Sequence, residues 1–466
     1  MIAYVAIAFA AVLVVGAGLF VARAILHRPQ RGLLLLAAFV PLNGLLAILP
    51  VPGVVSGWKE GLVLFTLGCA WLRRVRPRTS TPTPRPHPPL TMPWWPAAAL
   101  FVVFGVVSAL VSFGLIGFVA IKVTFFYMLL VGILWLAPFD ARDRDNLVSV
   151  LMGMGVFTSL VGIAQLVLGP AFLVSLGYEY GTQVRTSGGL LRTFSTFNLP
   201  FPFGLYVMLA LLVGGAVALA DPARRRNAAF LWMSPIMVVA MASSIVRGAI
   251  LGLLVGLIYL IAVRFRFLAV PLVVAGVAVA VIVPFVPKIS SVFFSSSSLN
   301  ERGDGWSDII ASILIHPFGQ GLGASGAAAD RISTASGVTF SGLSTNYQPD
   351  NYYVKSALEL GPIGLWAVVA LLVTALLWCT RLSRSLPRGD DALALGVGSS
   401  IVAAMFASLV STYFEIFPID VYFWLLLGVV GCAAAQHESV ATPGSSTGRS
   451  PFGRAAAGSR RTSASY

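Results

Sequence analysis

Three arginines stand in contexts suited to holding an oxyanion. Arg192 is followed by Thr-Phe-Ser-Thr-Phe-Asn at the mouth of an apolar run, so its guanidinium has hydroxyl and amide donors beside it. A guanidinium fork matches phosphate geometry and stays charged. Arg247 lies in Ser-Ser-Ile-Val-Arg-Gly-Ala, where one apolar run ends and the next begins with almost no loop. The helix that starts there turns its positive amino end toward the same interface, which favours a phosphate. The position equally suits an arginine snorkelling to lipid headgroups. Arg302 stands one turn before Trp306, on the apolar side of a pattern formed by Trp306, Ile309, Ile310, Ile313 and Leu314. That spacing predicts a short amphipathic helix lying on a membrane. Arg185, on the same outer segment as Arg192, reads as a solvated surface charge.

Acid–base chemistry is offered by the stretch from Asn346 to Gly364. Asp350 could accept a proton from, or orient, an attacking hydroxyl; it could also be the N-cap of the helix that follows Pro349. Asn351 stands beside it. Tyr347, Tyr352 and Tyr353 offer aromatic faces for sugar rings, or anchors at a membrane interface. Glu359 falls inside an apolar run, and a carboxylate there needs a cavity or a cationic partner, for which Lys355 at i−4 is the candidate. Lys122, alone in an apolar run, needs the same, whereas Lys59 followed at once by Glu60 reads as a solvated pair. His316-Pro317 ends the amphipathic pattern, a position that suits a structural histidine as well as a substrate contact. The series Gly319, Gly321, Gly323, Gly326 follows no strand and so is no dinucleotide fingerprint; it reads as a flexible crossing over a cavity.

The elements that must position these residues are set by composition. Of 466 residues 58% are hydrophobic and 10% charged, and the mean hydropathy is +0.89. A soluble domain carries about 25% charged residues, so a soluble enzyme is excluded. Apolar runs long enough to cross a bilayer recur about thirteen times (12–14), the third, near 61–72, being short. The predicted fold is all-α: a polytopic transmembrane helix bundle over residues 1–436, with external loops at 169–201 and 287–357, the larger one before the eleventh span. Residues 76–93 read as a Pro-rich cytoplasmic linker and 437–466 as a disordered cytoplasmic tail. No basic residue precedes the first run and Arg23, Arg28 and Arg31 follow it, the reverse of a cleaved signal. With its amino end outside, 22 of the 31 lysines and arginines fall in alternate, cytoplasmic loops. The net charge of +14 is then mostly membrane orientation, and nucleic acid is set aside as a partner. Nine basic residues break the bias: Lys59, Lys122, Arg185, Arg192, Arg247, Lys288, Arg302, Arg331 and Lys355. Cys69, Cys379 and Cys432 lie in apolar runs with no paired spacing, so neither disulfides nor a zinc site is indicated.

Four motifs in order resemble the O-antigen ligase and O-antigen polymerase superfamily: Arg192-Thr-Phe…Asn198-Leu-Pro200; Ser244…Arg247-Gly248-Ala249; Arg302…Trp306…His316-Pro317-Phe-Gly319-Gln-Gly321…Gly323; and Asp350-Asn351…Glu359-Leu-Gly361-Pro-Ile-Gly364. The resemblance spans roughly 185–380. It implies a fold like that of the C-type membrane glycosyltransferases. It also implies a reaction at the outer face of the cytoplasmic membrane, needing neither metal nor cofactor. The donor would be a glycan on undecaprenyl diphosphate and the acceptor a glycan or glycolipid hydroxyl, with membrane lipids around both. Ligases of the family carry histidine before an Asn, Ser or Gln; here the spacing matches through Asn351, Gly361 and Gly364, but the first position is Asp350, which is similar to the polymerases. Arg192 and Arg247, with Arg302 as third, would bind the diphosphate and Asp350 would activate the acceptor. Asn351, Tyr347, Tyr352, Tyr353, Trp306, Glu359, Lys122 and His316 are the candidate substrate contacts. A flippase or exporter of lipid-linked glycans is the alternative, although a carrier should place its charges at mid-depth.

Overall fold

The computed structural model describes residues 16–49, 52–75, 90–282, 306–336 and 350–441. Arg302 and Tyr347 lie outside them, as do most of the expected linker and tail and part of the expected large loop.

The described chain is a bundle of helices with one small hairpin. It opens with α1 (Gly16–His27) and α2 (Gln30–Phe39), which runs into a 3-10 segment, Val40–Ala47. There follow α3 (Trp58–Val75), α4 (Trp95–Phe113), α5 (Phe118–Phe125), α6 (Leu129–Leu136) and α7 (Ala141–Ser175). The hairpin, β1 (Arg185–Ser187) and β2 (Leu190–Arg192), precedes α8 (Pro200–Ala220), α9 (Arg225–Ser243), α10 (Arg247–Val263) and α11 (Ala269–Ile282). The carboxyl half holds α12 (Trp306–Ile315), α13 (Gly326–Ser336), α14 (Tyr352–Ser385), α15 (Asp390–Ala407) and α16 (Ile419–Ala441). Among the described residues, seven helical stretches are long and apolar enough to cross a membrane. The apolar runs 96–114 and 117–138 form one 42-residue apolar stretch, Trp95–Leu136. It is broken at Gly114, whose φ of 57° ends α4.

Burial follows the apolar pattern. Helix α8 is hydrophobic all round and buried almost all round, as are α15 and α16, so these three form the centre. Around it α7 and α9 pack on α8, α10 packs on α8 and α15, and α14 packs on α15 and α4. Close approach depends on small residues: a Cβ at Gly252 would meet the Met208 sulfur and the Ala403 carbonyl.

One end of the bundle is tied by ion pairs. Arg28 reaches Asp140 and Asp143 at 3.1 and 3.0 Å; Arg144 makes a fork to both oxygens of Asp390 at 2.7 Å; Arg224 and Arg226 meet Asp145; and Arg264 meets Asp391 at 2.7 Å. The arginines that the sequence assigns to orientation therefore also join α1, α7, α9, α10 and α15. Asp140 caps α7 by accepting from the Asp143 amide at 2.7 Å. Burial alone would raise its carboxyl, but that amide and the Arg28 guanidinium hold it below the usual range.

Candidate functional site

The opposite end is built around two strained turns. Gly188 and Gly189, both at positive φ, make the two-residue turn that pairs β1 with β2. The register sets Arg185 directly opposite Arg192. Beyond β2 the chain docks on the end of α9: the Thr193 amide donates to the Ser243 carbonyl at 3.2 Å, the Thr193 and Ser243 hydroxyls meet at 2.6 Å, and Arg192 Nε donates to the Ser244 carbonyl at 3.3 Å. This docking brings Arg192 to the turn that carries Arg247. Ser195 and Ile245, one on each segment, sit at φ 53° and 56°, a conformation costing roughly 1–3 kcal/mol for a non-glycine residue.

The surroundings impose the Ser195 strain. Gln165 Oε1 accepts from the Phe194 and Ser195 amides while its Nε2 donates to the Ser195 carbonyl at 2.8 Å. The Ser195 hydroxyl donates to the Thr158 carbonyl at 2.6 Å. Thr196 donates to the Pro41 carbonyl at 2.7 Å, and the Gly44 amide donates to the Thr196 carbonyl at 2.9 Å. A side chain at Gly44 would collide with the Phe197 backbone. A segment held by this many bonds presents Arg192 at a fixed place.

Arg192 is half-buried, with Phe201 under its guanidinium at 5.5 Å. No carboxylate pairs with it among the described residues. Burial first, then the charges of Arg185 and Arg247, depress its pKa. Like charges placed face to face on a hairpin are unfavourable, so the pair is poised for an anion.

Beside the arginines opens a cavity of about 450 Å³. Phe201 lines it as well as carrying Arg192, so this ring separates the two regions. Asp350, Arg331 and Glu415 bring charge to the cavity, Asn198 and Thr412 bring neutral polar groups, and Phe197 and Phe417 bring aromatic surface. Asp350 is exposed and precedes α14, but it is not the cap. Asn351 is: its Oδ1 accepts from the Tyr353 and Val354 amides at 2.9 and 3.2 Å. The reading of Asp350 as N-cap is corrected by one residue.

Behind the cavity lies a buried ion triad. Lys355 Nζ lies 2.6 Å from Glu359 and 3.1 Å from Glu415, and Lys355 and Glu359 are only 1% and 2% exposed. Glu359 also accepts from the Ser325 amide and hydroxyl, both at 3.0 Å. The expected i−4 partner is therefore found, and Glu359 lies in the interior behind the cavity. Glu415 was not anticipated.

The glycine series is also corrected. Gly361 has φ 62° and breaks α14, and Pro362 lacks the amide that Leu358 would need. The carbonyls so released are taken by the Gln320 amide, which donates to Leu358 at 2.9 Å, and the Gly321 amide, which donates to Glu359 at 3.0 Å. A side chain at Gly319 would strike the Glu359 carbonyl. These glycines are needed for close contact, not for a flexible crossing.

Of the remaining candidates, Lys122 pairs with Glu60 at 3.0 Å. Lys59 reaches Glu60 at 3.7 Å and stands over the Phe417 ring at 4.9 Å. Lys59 and Glu60 are thus a half-buried part of the bundle, not a solvated pair. Tyr352 is buried against Phe414, and Tyr353 donates its hydroxyl to the Met405 carbonyl at 2.9 Å, so both rings are packing surfaces outside the cavity wall. His316 is exposed, its Nδ1 3.1 Å from the Ser312 carbonyl, and lies outside the cavity. Trp306 opens α12, as the amphipathic pattern predicts. Among the described residues no three His, Cys, Asp or Glu side chains converge as metal ligands.

A polytopic helical membrane protein, with a cluster of arginines beside a mixed polar and aromatic cavity at one end of its bundle, is the class defined by this geometry. Residues 229–369 match the family model for O-Antigen ligase, which bears out the resemblance to that superfamily. No curated protein matches the chain. The matched segment holds Arg247, Arg331, Asp350 and the broken helix. Arg192 and the cavity walls from 197–202 and 411–418 lie beyond it.

Proposed function

We propose that the protein is a membrane glycosyltransferase that moves a glycan from a polyprenyl diphosphate carrier to an acceptor hydroxyl. The site end would lie at the outer face of the cytoplasmic membrane. The observation that carries the reading is the meeting of Arg185, Arg192 and Arg247, on strained and tightly held backbone, next to a cavity that contains Asp350. The acceptor oxygen attacks the anomeric carbon while that carbon's bond to the phosphate oxygen breaks, with inversion. The departing diphosphate gains negative charge that the fixed guanidinium groups stabilise without reorganising. The hydroxyl proton passes to the Asp350 carboxylate late in the step. Aspartate in place of the ligase histidine favours polymerisation, the acceptor being a second lipid-linked glycan.

Reconstituted protein supplied with lipid-linked repeat units from producing cells, without nucleotide or metal, should yield longer polymer. Arg247→Ala should abolish it, because the leaving group loses a charge-assisted contact made in the transition state. Polymer of wild-type length and yield from Arg247→Ala would overturn the assignment.

A further inference from the structure

The cavity beside the arginines has a wall that the family segment does not supply. Glu415 stands on the link between α15 and α16 and borders both this cavity and the interior triad. In that triad one lysine serves two carboxylates. Glu359 is well supplied with donors: Lys355 and both donors of Ser325. Glu415 Oε1 has Lys355 and a hydroxyl contact from Thr124 at 3.5 Å, while its Oε2 has no donor among the described residues. A carboxylate offers about four acceptor positions. The unused acceptor positions thus belong to the residue at the cavity wall.

We propose that this cavity is the acceptor-sugar subsite and that Glu415, held in place by Lys355, binds hydroxyls of the incoming sugar; this rests on the glycosyltransferase reading above. Three observations converge on it. The volume lies within the range of about 300–1,000 Å³ usual for small-ligand sites. Phe197, Phe201 and Phe417 supply ring surface for the apolar face of a pyranose, while Glu415 and Asn198 supply acceptors and donors for its hydroxyls. Phe201 touches both the cavity and Arg192, so a sugar on one side of that ring faces a diphosphate on the other. Acceptor recognition then rests on Asn198, Phe201 and Glu415, which like Arg192 lie outside the matched segment. Glu415 is a binding residue.

Binding to the full-length protein in detergent tests this with two probes. A panel of methyl glycosides, followed by saturation-transfer NMR, reports the acceptor subsite, and farnesyl diphosphate, followed by calorimetry, reports the arginine cluster. Wild-type protein should bind at least one glycoside. Glu415→Gln should weaken that glycoside about tenfold, the loss expected for one charge-assisted hydrogen bond, with farnesyl diphosphate binding unchanged. Asn198→Ala, at an exposed position with no contact to the triad's lysine, should also weaken the glycoside and keeps the test valid if Glu415→Gln folds poorly. Wild-type glycoside affinity in both variants, or no glycoside bound by the wild type, would overturn the proposal. Failure of the wild type to bind farnesyl diphosphate would count against the glycosyltransferase reading instead.

Discussion

At the scale of single residues, the arginine pair opposes stability to function. Arg185 and Arg192 face each other across two short strands, and an opposed like-charge pair costs about 0.2–1 kcal/mol. Arg185→Gln should therefore raise the melting temperature of the ligand-free protein slightly and weaken farnesyl diphosphate binding several-fold. A variant that lost stability while binding the diphosphate normally would show Arg185 to be a structural residue. Arg192 and Arg247 were legible in the sequence because each carries its own context of hydroxyls, glycine and helix start. Arg185 was read as a solvated charge, although Gly188-Gly189 between two short runs is a hairpin signal that fixes which residues oppose. Glu415 had no local signal at all. Its meaning comes from Lys355, a residue on another helix, and such a pairing is a product of the fold.

At the scale of elements, the site depends on a helix that is deliberately broken. Gly361 and Pro362 interrupt α14 about three turns after Asp350, and the peptide from Pro317 to Gly321 fills the break. A side chain at Gly361 would collide with the Pro317 carbonyl, and its φ of 62° is unfavourable for any L side chain. Gly361→Ala should cost about 1–3 kcal/mol from the backbone conformation alone, with steric overlap adding to it. Gly153→Ala is the matched control: nothing lies within 4 Å of a Cβ there, and alanine should be neutral or stabilising by up to about 1 kcal/mol. Thermal unfolding of both proteins in one detergent checks the contrast, and equal midpoints would remove the structural role given to Gly361. The Gly-Pro pair was visible in the sequence, and so was the glycine series. That the two segments interlock was not, because glycine spacing records the need for close approach without naming what approaches.

At the scale of the whole molecule, the chain sorts its charges between two ends. One end joins its arginines to aspartates: Arg28, Arg144, Arg224, Arg226 and Arg264 all have carboxylate partners. At the other, Arg185 and Arg192 have none among the described residues, and the cavity opens beside them. The basic end was legible from loop charge, since 22 of the 31 lysines and arginines fall in alternate loops. The number of crossings was less so, because breaks such as Gly114 divide one apolar stretch without a polar loop to mark them. The division predicts an orientation that labelling can decide. Cys69, Cys379 and Cys432 are free and buried, so the native protein should react little with a membrane-impermeant maleimide. Asn198→Cys places a thiol at the cavity mouth, and Arg225→Cys places one at the exposed start of α9, at the opposite end. In intact spheroplasts Asn198→Cys should label and Arg225→Cys should not; in inverted vesicles the pattern should reverse. Labelling of Arg225→Cys from outside would put the arginine cluster on the cytoplasmic face, where an outer-leaflet lipid-linked glycan could not reach it, and the proposed reaction would fail with the orientation.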